Sequence, residues 1–262
     1  MLDDNIENDI INWMQQQVEA RDADGALVGL SGGVDSATVG GLIEKAFGDD
    51  SLGVLLPCSG TVSKDVEYAQ MVAEKFDLET LSVNLKDAYD AIEDTFNSID
   101  IDKVERKYWP QTKVPTIDPA QQNIITRLRM MTLYHIAERK NYLVAGTSNK
   151  SEIFTGYYTL HGDGATDMRP LGDLYKTEVW DLAEKIGVPQ EIVDRPPTGG
   201  LRGEETEGDE EEFGIPYSIL DDIHQALENN ESLEEFDDED VARTKELVDT
   251  AATKSDIPTF VR

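Results

Sequence analysis

The segment Ala26-Leu-Val-Gly-Leu30 passes directly into Ser31-Gly-Gly-Val-Asp-Ser36, and Ala37 to Phe47 then has helical spacing. A short apolar run bounded by turns reads as a buried strand of a parallel sheet. Strand, glycine loop and helix in that order open an α/β layer. The alternation repeats along the chain. Leu52–Leu56 and Glu79–Val83 read as a second and third strand, with a helix from Ser63 to Phe76 between them. Ala88 to Ile99 reads as helix, 102–119 as a polar loop, and Gln121 to Lys140 as a long helix with apolar Ile124, Leu128, Met131, Leu133 and Ile136. Tyr142–Ala145 is the fourth strand. Such alternation predicts an α/β fold whose parallel sheet is flanked by helices through right-handed crossovers. An amphipathic helix from Asp4 to Arg21 precedes it.

The carboxyl-terminal third has a different texture. Gly156 to Asp173 is glycine-rich, Glu178 to Ile186 reads as helix, and seven acids crowd Glu204 to Glu212, which is read as a solvated loop. Loops as long as Gly156 to Asp173 are commonly functional. Tyr217 to Ala252 predicts two or three acidic helices. The expected organisation is one domain over 1–262, with a nucleotide-binding core at about 25–200 and a helical part at about 213–262.

The loop between strand and helix carries the chemistry. Unpaired N–H groups and the positive end of a helix favour an anion, and glycines allow close approach of a phosphate. Ser31 and Ser36 add hydroxyls. Asp35 is an odd neighbour for a phosphate unless a cation lies between them, and Mg²⁺ takes carboxylate and phosphate oxygens together. The competing reading is a tight turn in which Asp35 or Ser36 caps the helix. The segment is neither a Walker loop nor the dinucleotide G-x-G-x-x-G.

Charge removes several classes of function. Lys plus Arg number 23 against 54 Asp plus Glu, a formal charge of −31. That argues against a basic nucleic-acid footprint and against adhesion to an anionic membrane. Hydrophobic residues make up 39% of the chain in periodic runs, which argues against disorder. An acidic surface of this strength suits molar salt, where screening falls to about 3 Å; the alternative is a cationic partner. The single cysteine, Cys58, excludes a disulfide scaffold. No apolar run reaches the roughly 18 residues of a membrane span, and the first ten residues lack a signal-peptide pattern. A cytoplasmic protein is expected.

The hexapeptide Ser31–Ser36 resembles the SGGxDS loop of the PP-loop ATP pyrophosphatases. Further runs resemble the NAD synthetase family. These are Asn123-Ile-Ile-Thr-Arg127-Leu-Arg129-Met130, Gly146-Thr147-Ser-Asn-Lys-Ser-Glu152, Thr155-Gly156-Tyr-Tyr-Thr-Leu-His-Gly162-Asp163-Gly164, Asp167-Met-Arg-Pro170, Leu174-Tyr-Lys176-Thr and Asp209-Glu-Glu-Glu-Phe-Gly214. Their order and spacing match over about residues 25–260, without the glutaminase domain of longer members. The resemblance implies a Rossmann-like, adenine nucleotide alpha hydrolase-like sheet. It also implies the ammonia-dependent ligase reaction, deamido-NAD⁺ + ATP + NH₃ → NAD⁺ + AMP + PPi.

The resemblance carries roles over residue by residue. Gly29, Leu30, Ser31, Gly32, Gly33, Val34, Asp35 and Ser36 would cradle the ATP phosphates, with Thr147, Lys176 and Thr198 adding contacts. Asp35 and Glu152 would hold Mg²⁺. Arg127, Asp167 and Lys254 would hold deamido-NAD⁺, and Asp163 with Lys176 would act at the reacting centre. The pattern is broken at Leu160, where many relatives have lysine, and at Thr253, which replaces a histidine. Both stand at positions expected to touch deamido-NAD⁺. The resemblance further implies a homodimer. The rival readings are another PP-loop pyrophosphatase, such as a tRNA-modifying ligase, and a nucleotide-binding relative without activity.

Overall fold

Strand β1 (Gly25–Gly29) sends Ala26 and Val28 into one buried cluster and Leu27 into another. A strand covered on both faces needs no polar alternation, so its sequence is a continuous apolar run. The computed structural model describes residues 2–58, 63–98, 119–198 and 208–255. Strands β2 (Ser51–Leu55), β3 (Thr80–Ser82) and β4 (Tyr142–Val144) lie parallel to β1 in the order β3-β2-β1-β4. Ala26 pairs with Ser51 on one side of β1, and Gly25 with Tyr142 on the other. The three-residue edge strand β3 has exposed side chains. A short edge offers little template for a foreign strand.

Helices cover both faces. On one side α1 (Ile6–Ala20), α2 (Val34–Phe47), α3 (Ser63–Phe76) and α7 (Lys176–Ile186) bury Met14, Leu42, Ile43, Val72 and Leu182 against the sheet. On the other, α4 (Lys86–Asn97) and α5 (Pro119–Lys140) bury Tyr89, Ile125 and Leu128. Each such side chain contributes about 1.5–3 kcal/mol by leaving water. The helical spacing of α1 is thus explained by packing, because Ile10, Met14 and Val18 all enter the core. On α5 the expectation is partly corrected. Met131 is 58% exposed, and Ile125 takes the buried position instead. Nearly all of the polar loop read at 102–119 lies outside the described residues; Pro119 already opens α5.

Four further helices complete the described structure after β4: α6 (Lys150–Thr155), α8 (Gln190–Val193), α10 (Tyr217–Asn229) and α11 (Asp238–Ser255), besides α7. A fifth, α9 (Asp209–Phe213), corrects the last part of the stretch read as a solvated loop at 204–212; residues 204–207 lie outside the described residues. Its last turn buries Phe213 at 3% exposure, and its first residue, Asp209, is equally buried. Phe213, Ile215, Tyr217, Leu220 and Ile223 form a third cluster with α11. That cluster docks on α6 at Gly156, which has φ 68. A Cβ there would lie 2.9 Å from the Ala251 backbone, so glycine lets the two helices touch. Among the described residues no helix is long and apolar enough to cross a membrane.

The strand order turns back at β1. β2 and β3 extend the sheet one way, and β4 lies on the other side. A crevice forms at the carboxyl ends of the strands where the order reverses, and open parallel sheets bind their ligands there.

Candidate active site

The loop after β1 is knit by its own hydroxyls. Ser31 N–H donates to Ser36 Oγ at 3.2 Å, Gly33 N–H to Ser31 Oγ at 3.3 Å, and Ser36 Oγ–H to the Gly33 carbonyl at 3.0 Å. Gly32 has φ 83, and a Cβ would stand 2.5 Å from the Asp65 carbonyl. Helix α2 starts after Gly33 with no side-chain cap. The capping role weighed for Asp35 and Ser36 is therefore not taken, which leaves the start of α2 without a side-chain cap, the kind of helix end that favours an anion.

Asp35 is the centre of a buried charge cluster. Its Oδ2 lies 2.5 Å from Lys176 Nζ, and its Oδ1 accepts from Asn149 Nδ2 at 3.0 Å. Asn149 also caps α6. Its side chain accepts from Glu152 N–H at 3.0 Å, while the Glu152 carboxylate accepts from Asn149 N–H at 3.3 Å. The capping box thereby presents Glu152 beside Asp35. Burial first, and the Asp35 charge second, hold the Glu152 carboxyl well above the usual range, with Lys176 pulling it down. Burial works to lower the Lys176 pKa, yet Asp35 and Glu152 outweigh it and the ammonium is held above its ordinary value. Lys176 is 1% exposed. Asp209 joins this cluster from α9. Burial raises its carboxyl against the opposing pull of Lys176 and the Tyr157 hydroxyl. Tyr157 is held by Asp209 and Glu212, each at 3.0 Å.

These groups line a cavity of about 450 Å³. Of the residues singled out in the sequence, it brings together Gly29, Leu30, Ser31, Gly33, Val34, Asp35, Ser36, Thr147, Glu152, Asp163, Lys176, Thr198 and Lys254. Asp163 accepts the Thr159 N–H at 2.8 Å; its side chain keeps contact with solvent, yet desolvation by the surrounding wall raises its carboxyl despite that bond. Lys254 reaches in from α11 to the Gly156 and Tyr158 carbonyls at 2.6 and 3.0 Å. Gly32 is not in the lining, and three residues stand apart. The Arg127 guanidinium donates to the Leu160 carbonyl at 3.3 Å, and both residues are exposed outside the cavity wall. Asp167 accepts the Val144 N–H at 2.8 Å and a bond from Tyr134, tying the end of β4. The Thr253 side chain lies outside the described residues.

Other wall residues escaped the sequence reading. Arg195 donates to the Gly32 carbonyl at 3.3 Å and pairs with Asp65 at 2.7 Å, bracing the phosphate loop. Arg129 donates to the Leu56 carbonyl, and burial lowers its pKa. Only Asn149 had a local signal, the Asn-x-x-Glu spacing of a capping box.

A parallel sheet with an uncapped glycine loop and a lysine–carboxylate cluster at its switch point defines a nucleotide-binding α/β protein. The more specific assignment follows from comparison. The sequence pattern described as NAD synthase matches residues 6–258, and this chain belongs to that family. An NH(3)-dependent NAD(+) synthetase of Methanocaldococcus jannaschii is 43% identical over 88% of this chain and 84% of its own. The synthetase of that name from Finegoldia magna is 36% identical over 95% and 90%. Among solved structures, an NH3-dependent NAD synthetase from Campylobacter jejuni aligns over 100% of both chains, with TM-score 0.79 and 26% identity. An NMN synthetase from Francisella tularensis aligns over 98% of this chain and 97% of its own, with TM-score 0.82 and 27% identity.

Proposed function

We propose that this chain amidates deamido-NAD⁺ to NAD⁺, using ATP and ammonia and releasing AMP and pyrophosphate. The observation that carries the reading is Lys176 and Glu152 converging on Asp35 beside the uncapped start of α2. Two like-charged, sheltered carboxylates next to a phosphate site call for a cation, so Asp35 and Glu152 fit Mg²⁺ held jointly with ATP oxygens. When bound, Mg²⁺ neutralises charge developing on the phosphates.

The chain's own residues do the rest. The N–H groups of the loop at Gly29 to Ser36 hold the phosphates, and Thr147 and Thr198 add hydroxyl contacts from the cavity wall. The Lys176 ammonium stabilises charge as the nicotinate carboxylate oxygen bonds to the α-phosphorus and the bond to pyrophosphate breaks. Ammonia then bonds to the acyl carbon, the bond to AMP oxygen breaks, and a proton must leave the nitrogen. Asp163 lies in the wall with a raised pKa and can accept that proton. Lys254, Arg127 and Asp167 are assigned to deamido-NAD⁺, with Leu160 and Thr253 as altered positions of the same subsite. Arg127 and Leu160 face outward beside exposed Met131, as a homodimer sharing its dinucleotide site would require. The charge of −31 fits a cytoplasm of molar salt.

The test is incubation with ATP, Mg²⁺, ammonium and deamido-NAD⁺ in molar KCl. NAD⁺ and AMP should form one for one. ADP in place of AMP, or no AMP at any salt, overturns the reading. Preference for nicotinate mononucleotide over the dinucleotide would instead align the chain with an NMN synthetase.

A further inference from the structure

Helix α7 begins at Lys176 after Tyr175, whose side chain makes no cap hydrogen bond. The first N–H groups of a helix need acceptors, and here they come from other elements. Lys176 N–H donates to Ser151 Oγ on α6 at 2.9 Å. Thr177 N–H and its hydroxyl donate to Asp221 Oδ2 on α10 at 3.1 and 3.0 Å. Ser151 Oγ–H in turn donates to Asp221 Oδ1 at 2.5 Å. Ser151 is fully buried and Asp221 is 3% exposed.

The polarity of this relay is fixed. A serine hydroxyl has one proton, and Asp221, an acceptor when ionised, takes it. The oxygen of Ser151 is left to accept from Lys176 N–H. Among the described residues no lysine, arginine or histidine forms an ion pair with Asp221. Its charge is met by donors and by the positive end of α7 alone. Ser151 precedes Glu152, and Thr177 follows Lys176. One carboxylate therefore holds the backbone beside both residues that converge on Asp35.

We propose that Asp221 is a positioning residue: from α10, through Ser151 and Thr177, it sets the approach of Glu152 and Lys176 to Asp35 and thereby the affinity for ATP with Mg²⁺. The inference rests on the reading of Glu152 and Lys176 given above. Asp221→Asn keeps the shape but breaks the relay: its amide N–H₂ faces either the Thr177 N–H, a donor, or the Ser151 hydroxyl, which must then turn its proton away from residue 221 and accept instead. Ser151→Ala removes the middle of the relay.

The experiment is ATP binding by calorimetry and steady-state kinetics on the full chain, with Mg²⁺ in molar KCl. Outer partners of ligand residues typically govern affinity by about 10–100-fold. Asp221→Asn should weaken ATP binding by about tenfold and raise KM for ATP in step, with KM for deamido-NAD⁺ unchanged. Ser151→Ala should do the same, and the double variant should be no worse than the poorer single one, because both break one relay. A merely structural role lowers the melting temperature and the active fraction, cutting kcat while ATP affinity and KM stay at parent values; that result overturns the proposal. Should Asp221→Asn fail to fold, Ser151→Ala decides by the same readout. Lys176→Met is the control arm. Unchanged ATP affinity there defeats the site reading itself, whereas loss there with parent affinity in the other two defeats only the role of Asp221.

Discussion

Replacing Lys176 by methionine keeps the aliphatic stem and deletes the ammonium. That ammonium is the cation facing Asp35 at 2.5 Å, and it also opposes Glu152 and Asp209. Removing one partner of a fully sealed pair costs about 3–5 kcal/mol. Asp35 keeps 17% side-chain exposure and the Asn149 amide at 3.0 Å, so the low end, about 3 kcal/mol, applies here. For a chain of this size that is a fall of about 6–12 °C in melting temperature. The penalty depends on pH, and its sign follows from the raised carboxyls. A carboxyl with a folded pKa above its unfolded value favours the fold fully below the unfolded value, and loses that contribution as pH rises through the folded one. Glu152 and Asp209 are both raised, chiefly by burial, and losing Lys176 raises them further. The variant should therefore be weakest at about pH 8 and recover much of the loss by about pH 5, where protonation removes the uncompensated charge. Differential scanning calorimetry of parent and variant in molar KCl measures this directly. An equal depression at both pH values would show that packing, not charge, had been lost, and would refute the cluster as described.

Asp35→Ala should cut AMP formation at least about 100-fold at saturating substrates; near-parent turnover would remove the phosphate-loop assignment. Gly32→Ala places a side chain at φ 83 against the Asp65 carbonyl. It should cost about 1–2 kcal/mol in backbone conformation and raise KM for ATP, which an ATP titration checks. Tyr157→Phe deletes the hydroxyl shared by Asp209 and Glu212. A loss of about 1.5–3 kcal/mol should appear as faster hydrogen exchange across α9. Dilution from molar to about 0.1 M KCl lengthens screening from about 3 Å to about 10 Å. With a charge of −31 the melting temperature should fall, and a salt-independent melt contradicts the reading of the surface.

The sheet was readable because β1, β2 and β4 are buried and so appear as apolar runs, while the exposed edge strand β3 does not. Leu27 and Val28 point to opposite clusters, yet both must be apolar. The phosphate loop was readable because its chemistry is local. What the sequence hides is pairing at a distance. Asp221 and Asp209 look like two more acids among 54, and nothing nearby in sequence marks them as buried. Their partners, Ser151 and Tyr157, lie 70 and 52 positions away. The acid run before Phe213 reads as solvated because composition outweighs a single apolar residue, while in the fold Phe213 and Tyr217 draw that turn into a core. Asp167 has a structural bond that its motif does not announce: its carboxylate accepts the Val144 N–H at the end of β4.

The strand order has a consequence for how the chain is made. β1 can pair with β2, and β2 with β3, early, but the other neighbour of β1, β4, starts only at Tyr142. Lys176 follows later still, 141 positions after Asp35. At about 5–20 residues per second, a chain emerging from the ribosome carries its glycine loop for many seconds before the opposite wall exists. A nucleotide site walled by both Asp35 and Lys176 thus exists only late in synthesis. ATP at a hundredfold excess over its dissociation constant would add about 2.7 kcal/mol to copies with a finished pocket.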